Sequence, residues 1–185
     1  MPATYEPVGF MIEDMPTSVS YDVSTGKDVL GLSFARGTRG ESSTSVSPVT
    51  VNKKSELAKI IDTIVEQELE LSDLEYHFIA VREFKRIGAD FETGIPAAYR
   101  QKCIVVPGDY AQGNQSLDVS ATLNWVGEKK HGTFDGTAFA PQTAVPGPGQ
   151  IHWKDGDASR SDYKIYLEIA APSAQQLQTE GVTHG

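Results

Sequence analysis

A strict alternation of apolar and polar residues is the feature of this sequence that most constrains its fold. It runs through SLDVSATLNW, residues 116–125, where the apolar or small positions are Leu117, Val119, Ala121, Leu123 and Trp125. The polar positions between them are Asp118, Ser120, Thr122 and Asn124. A period of two is typical of a β-strand with one buried and one wet face. The charged stretch GEKKHG and the run TFDG follow, so the sequence predicts a β-hairpin here.

A helical period occurs only in NKKSELAKIIDTIVEQELEL, residues 52–71. Its apolar residues recur at the three- and four-residue spacing of one helix face: Leu57, Ile60, Ile61, Ile64, Val65 and Leu69. Asn52 is the predicted N-cap, and the opposite side carries lysines and acids. Such a helix packs on a flat surface, which here is a sheet.

The remaining segments read as strands and loops. We count seven or eight strands that cluster without alternating with helices. Residues 36–48 form a Gly/Ser/Thr-rich stretch predicted to be a mobile loop or a hairpin tip. The sequence therefore predicts a mainly β (α+β) fold, an antiparallel β-sandwich with one flanking α-helix, a long loop and extended terminal arms. The predicted division is an N-terminal arm at 1–27, a domain at 28–170 and a C-terminal arm at 171–185.

Composition argues against several classes of protein. Acidic residues outnumber basic ones by 25 to 16, giving a net charge of −9, which disfavours a nucleic-acid-binding surface. No apolar run approaches the roughly 18 residues of a membrane span, and the first residues lack the pattern of a secretory signal. The single cysteine, Cys103, forms no intrachain disulfide and is predicted to lie buried in a strand. We expect no membrane partner and a cytoplasm-like compartment.

The sequence offers no recognisable active site. Its four histidines lie far apart without the helical spacing of a zinc site, and one cysteine excludes a cysteine-rich zinc cage. Six acids between Asp62 and Glu75 are explained by a solvated helix face and the loop after it. We therefore expect no enzyme, with no catalytic, cofactor-binding or metal-binding residues and no cofactor.

The order and character of these segments resemble the major tail proteins, or tail tube proteins, of long-tailed bacteriophages. The segment LDVSATLNWVGEKKHGTFDG is similar to a hairpin common late in such chains, and SFARGTRGESSTSV is similar to their early strand and loop. The segment NKKSELAKIIDTIVEQ sits where that family has its single helix. The resemblance extends over residues 20–170.

The resemblance implies a structural virion protein that self-assembles into hexameric rings, stacked into a tube through which DNA passes without specific binding. The implied partners are further copies of the chain and other tail proteins, such as tape measure and terminator proteins. The implied location is the virion tail, after assembly in the host cytoplasm. Four strands per subunit would line a continuous inner β-barrel.

Two groups of residues receive roles from this resemblance. The polar positions Asp118, Ser120, Thr122 and Asn124 would line the bore, since short non-basic side chains do not hold a polyanion. The loop, expected to be disordered in the monomer, would contact the neighbouring ring through Arg36, Arg39, Glu41, Ser42, Ser43 and Thr44. The hairpin turn would place Lys129, Lys130 and His131 at a rim or subunit contact.

Alternative interpretations remain open on the sequence alone. The first is a carbohydrate-binding or adhesin-type β-sandwich with Trp125, Trp153, Tyr163 and Tyr166 as stacking platforms. The second is an enzyme, such as a glycosidase, that uses the acids between Asp62 and Glu75. The polar positions at 118–124 also fit the exposed sheet face of an ordinary antiparallel domain.

Overall fold

The computed structural model describes residues 3–8, 17–27, 30, 33–50, 55–70, 76–112 and 117–169. Within these ranges there are one α-helix, two short 3₁₀ turns and nine strands. The bounds are β1 Thr4–Val8, β2 Thr17–Lys27, β3 Ser33–Thr50, α1 Glu56–Glu66, β4 Tyr76–Ile87, β5 Ile95–Gln112, β6 Leu117–Phe134, β7 Phe139–Pro141, β8 Ile151–Trp153 and β9 Tyr163–Ile169.

The strands are hydrogen-bonded in the order β1-β9-β4-β5-β6-β3-β2, with β7 paired to β6 and β8 to β4. The pairs β1–β9, β2–β3, β3–β6, β4–β8 and β6–β7 are antiparallel. This confirms a mainly β, antiparallel fold with one helix. The described strands are connected by pairing into one hydrogen-bonded order, because long strands change partners along their length. The strand β6 pairs with β3 at 118–125 and with β7 at 132–134.

The chain divides into two compact units, and β5 and β6 contribute to both. The first unit comprises Met1–Val8, Phe78–Arg100 and Lys130–Gly185; the second comprises Gly9–His77 and Gln101–Lys129. The predicted N-terminal arm contains the paired strands β1 and β2, and the predicted C-terminal arm at 171–185 lies outside the described residues. The predicted division into arm, domain and arm stays a prediction.

The first unit has a core of aliphatic and aromatic side chains around Phe134. Its ring centroid lies 4.8 Å from that of Tyr166 on β9 and 5.2 Å from that of Tyr5 on β1. Other members of this cluster are Ile79, Val81, Ala98 and Phe139. The Arg100 guanidinium donates two hydrogen bonds to the Glu168 carboxylate, from Nε at 2.5 Å and from Nη2 at 3.1 Å. Such a bidentate ion pair is directional as well as electrostatic.

The second unit contains α1, whose buried residues are Leu57, Ala58, Ile61 and Ile64. Ser55 is its N-cap, with Oγ accepting from the Ala58 amide at 3.2 Å. The sequence placed the N-cap at Asn52, which lies outside the described residues. The helix ends at Glu66, short of the predicted residue 71. It is shorter because Gln67 adopts non-helical backbone angles and Glu68 has a φ of 50°.

The predicted mobile loop at 36–48 is wrong as local structure, since these residues belong to β3. This strand pairs with β2 from Ser33 to Thr44 and with β6 from Ser42 to Thr50. Glycine, serine and threonine favour loops locally, but pairing with β2 along the first part of β3 and with β6 along its second part keeps the backbone extended. Tertiary pairing therefore overrides the local composition.

The predicted hairpin is also wrong, because β6 continues through GEKKHG to Phe134. The buried positions are odd-numbered up to Trp125 and even-numbered at Gly132 and Phe134, so one extra residue is accommodated between them. Gly127 takes it up with a φ of 71°, which is typical of a glycine β-bulge. The Gln101 amide of β5 donates to the carbonyls of Gly127 at 3.0 Å and Val126 at 3.4 Å.

Candidate functional site

The strand β6 presents two chemically distinct faces between residues 117 and 125. Val119 and Leu123 are fully buried, Ala121 is 4% exposed and Trp125 is 7% exposed. The four residues predicted to line a bore, Asp118, Ser120, Thr122 and Asn124, are all partly exposed. Leu117 is exposed at the end of the strand, which differs from the buried position predicted for it. The alternation is therefore present in the structure. We name the partly exposed side of β6 formed by Asp118, Ser120, Thr122 and Asn124 the polar face.

The polar face continues onto β3. In the antiparallel register Ser45 lies opposite Thr122, and Ser43 lies opposite Asn124. Residues directly opposite each other in such a pair project from the same side of the sheet. Ser45 is exposed and Ser43 is partly exposed, so hydroxyl and amide groups cover two neighbouring strands.

A close approach of β5 borders this face at Ser120. The Ser120 Oγ donates to the Asp109 carbonyl at 3.3 Å. A Cβ atom placed on Gly108 would lie 2.4 Å from the same Oγ. A larger residue at position 108 would therefore force the Ser120 side chain to move, a constraint that the sequence pattern did not reveal.

The six residues predicted for ring contact do not share one environment. Arg36 and Arg39 pair with Ser24 and Tyr21 of β2, Glu41 is exposed, and Ser43 lies on the polar face. Ser42 and Thr44 are buried. The ring contact assigned to this group stays a prediction, although two of its members face the core.

The buried side of β3 and β6 contains a polar pair that sequence reasoning missed. The indole nitrogen of Trp125 donates to Thr44 Oγ1 at 2.8 Å. Thr44 lies opposite Leu123, one step diagonally from Trp125, which is within reach of a large aromatic side chain. The only sequence signal was a threonine in a run of serines, and that signal does not distinguish a buried position from an exposed one.

Titratable groups of the second unit give no catalytic arrangement among the described residues. Cys103 is buried as predicted, and burial raises the pKa of its thiol to about 12. The Tyr110 hydroxyl donates to Asp62 at 3.3 Å, and partial burial together with the carboxylates of Asp62 and Glu66 raises its pKa. No cluster of three or more metal-ligating side chains occurs in the part of the chain that the structure describes.

The four aromatic residues of the carbohydrate-binding alternative have different surroundings. Trp125 is buried, the Tyr163 hydroxyl lies 2.9 Å from that of Tyr99, and Tyr166 packs on Phe134. Trp153 is 59% exposed.

No described helix is long and apolar enough to cross a membrane.

No protein-family model and no curated protein matches this sequence. Among solved structures, the chain is similar to one described as the cryo-EM structure of the anti-feeding prophage (AFP) baseplate, 6-fold symmetrised. The two chains are 15% identical with a TM-score of 0.33, and the match covers 70% of this chain and 89% of the other. A likeness at this level identifies neither a shared fold nor a shared function.

Proposed function

We propose that this protein is a structural subunit of a phage-type tail tube, with no catalytic role and no cofactor. The observation that carries the proposal is the polar face, on which Ser120, Thr122 and Asn124 lie beside Ser43 and Ser45. All of these side chains are short and uncharged. The opposite side of the same strand is buried, so the polar side is the one available to a water-filled space.

The chemistry of the polar face suits a channel for DNA. Lysine and arginine on such a surface would neutralise phosphates and release counterions, which would hold the strand in place. Confinement between low-dielectric walls would strengthen this attraction further. The polar face carries no lysine or arginine, and the chain has a net charge of −9. Both features disfavour such an attraction to DNA. In this proposal, hexameric rings stack into the tube in the virion tail, DNA passes without specific binding, and tape measure and terminator proteins are further partners.

The first test is self-assembly of the purified chain. Sedimentation and negative-stain microscopy across a concentration series should show rings or rods of uniform diameter. A chain that stays monomeric at the highest attainable concentration would contradict the proposal. A monomer that binds glycans on an array would favour the carbohydrate-binding alternative.

The second test places positive charge on the polar face with Thr122→Lys and Asn124→Lys. Both positions are partly exposed, and surface substitutions usually cost no more than about 0.5 kcal/mol, so folding and assembly should persist. Particles carrying the variant should eject DNA slowly, with recovery at raised salt. Ala89→Lys with Ala158→Lys is the matched control, because it adds equal charge at exposed positions outside the face. Normal ejection by the first variant would show that the polar face is not lumenal.

A further inference from the structure

Trp153 of the first unit is the most exposed aromatic side chain for which the structure gives an exposure, at 59%. Its ring stacks on Phe84, with centroids 6.1 Å apart and planes 22° from parallel. The Lys85 ammonium lies 5.3 Å from the same ring centroid, and Lys85 is directly opposite Trp153 in the β4–β8 pair. We name Phe84, Lys85 and Trp153 the Trp153 platform.

The platform has the composition of a binding surface. An exposed tryptophan held in place by two neighbours presents a large apolar area with little side-chain entropy to lose, which is typical of interface hot spots. Lys85 forms no ion pair with a carboxylate of the described residues, unlike nearby Lys154, which binds Asp162 at 2.7 Å. The platform therefore combines an apolar ring with a lysine ammonium that no carboxylate of the described residues neutralises.

The second unit carries a surface of complementary chemistry. Asp62 and Glu66 are one turn apart on α1 and lie on the same side of the helix. Val65 is 44% exposed and Tyr110 is 37% exposed, and the Tyr110 hydroxyl contacts Asp62. Glu66 forms no ion pair with a base in the described part of the chain. We name Asp62, Val65, Glu66 and Tyr110 the acidic patch.

We propose that the Trp153 platform of one copy docks on the acidic patch of a second copy, with Trp153 against Val65 and Tyr110 and Lys85 beside Glu66 and Asp62. The charges have opposite sign, and each surface supplies exposed apolar area to the other. A contact between two different surfaces of identical chains is heterologous, so it repeats from copy to copy and yields a closed ring or a filament. This inference rests on the proposed self-assembly and identifies the contact that produces it.

The test uses charge reversal in both partners. Lys85→Glu and Glu66→Lys each create a like-charged contact, and each alone should raise the concentration needed for assembly about tenfold or more. An equimolar mixture of these two variants should assemble near the wild-type concentration. When the two variants alternate along the assembly, each contact joins either the original pair or the reversed pair of charges. Trp153→Ala should raise the required concentration about 30-fold, as loss of a hot-spot side chain does.

Two double variants control for net charge. Ala89→Glu with Ala158→Glu adds as much negative charge as Lys85→Glu, and Ala89→Lys with Ala158→Lys matches Glu66→Lys. Both pairs lie at exposed positions and should shift assembly by no more than about twofold. Sedimentation gives the concentration dependence, and circular dichroism verifies that each variant is folded.

The outcomes separate this inference from the proposed function. If the wild type assembles and the two single reversals assemble equally well, the docking is overturned while the structural role stands. If the single reversals fail to assemble and their mixture also fails, the docking is likewise overturned. A wild-type chain that stays monomeric overturns the proposed function and this contact together.

Discussion

At the scale of single residues, the hydrogen bond between Trp125 and Thr44 links the buried faces of β3 and β6. Thr44 is fully buried, and its Oγ1 accepts the indole proton of Trp125 at 2.8 Å. A buried donor that loses its acceptor costs more than the bond itself contributes, since the desolvated group stays unsatisfied. A slip of β3 by one residue against β6 would place Thr44 on the opposite face of the sheet from Trp125, so this pair favours the observed register.

Thr44→Val removes the acceptor while keeping the shape of the side chain. We expect the free energy of unfolding to fall by about 1–3 kcal/mol, because the Trp125 indole is left unsatisfied. Urea titration measures the loss, and Thr122→Val on the polar face is the control, with a change within about 0.5 kcal/mol. In a double-mutant cycle, Trp125→Phe should make Thr44→Val less costly. Additive losses in that cycle would show that the two side chains are not coupled.

At the scale of elements, Gly127 allows β6 to run as one strand of 18 residues. Its positive φ of 71° is in the left-handed region, which other residues adopt at a cost. The Gln101 amide binds the two carbonyls beside it. Gln101 is itself buried, so water has little access to replace these two hydrogen bonds.

Gly127→Ala should lower the free energy of unfolding by about 1–2 kcal/mol, which is the backbone cost of the left-handed conformation. No heavy atom lies within 4 Å of the added Cβ, so crowding contributes nothing. Gly147→Ala is the matched control, because its Cβ also meets open space but its φ is −65°. In that variant the free energy of unfolding should instead rise by about 0.4–1 kcal/mol, because alanine reduces the entropy of the unfolded chain. Thermal and urea unfolding measure both variants. If Gly127→Ala and Gly147→Ala changed the free energy of unfolding equally, the assignment of strain to Gly127 would be contradicted.

At the scale of the whole molecule, the hydrogen bonds made to aspartate carboxylates affect how stability depends on pH. Three aspartates of the first unit accept hydrogen bonds within tight turns, from Thr93 to Asp90, from Thr137 to Asp135 and from Ser159 to Asp162. The bonds from Thr93 and Thr137 lower the pKa of Asp90 and Asp135, and the pKa of Asp162 is lowered first by a hydrogen bond from Lys154 and then by the bond from Ser159. Folding therefore favours the ionised forms, and the first unit becomes sensitive to acid.

Asp162 gives the clearest pH prediction. Hydrogen bonds from Lys154 and then from Ser159 lower its pKa from 3.8 to about 2. Because the folded-state pKa is the lower one, the stabilisation is present above about pH 4 and is lost as the pH falls toward about 2. Unfolding free energy measured by urea titration should therefore fall less steeply over this range in Asp162→Asn than in the wild type. Asp157→Asn, at an exposed position of the same loop, should keep the wild-type slope; a wild-type slope in Asp162→Asn would contradict the prediction.

The sequence predicted the polar face well and the elements beside it less well. Alternation is a local signal, and burial of Val119 and Leu123 with exposure of Thr122 follows it directly. The loop at 36–48 and the turn after Trp125 were predicted wrongly because glycine, serine and charged residues favour turns in isolation. Whether these residues form a strand depends on a neighbouring strand with which to pair. That strand comes from a part of the sequence outside the segment itself.

The sequence by itself determined the fold class, the amphipathic helix, the buried cysteine and the two faces of β6, since each follows from the spacing of side chains along a few residues. Only the tertiary structure decided the strand partners, the bulge at Gly127, the buried Thr44 and the exposed Trp153. The physical reason is that hydrogen-bond partners and burial are set by residues distant in sequence. Trp125 and Trp153 are the same residue type, yet one donates to Thr44 in the core and the other remains 59% exposed beside Lys85.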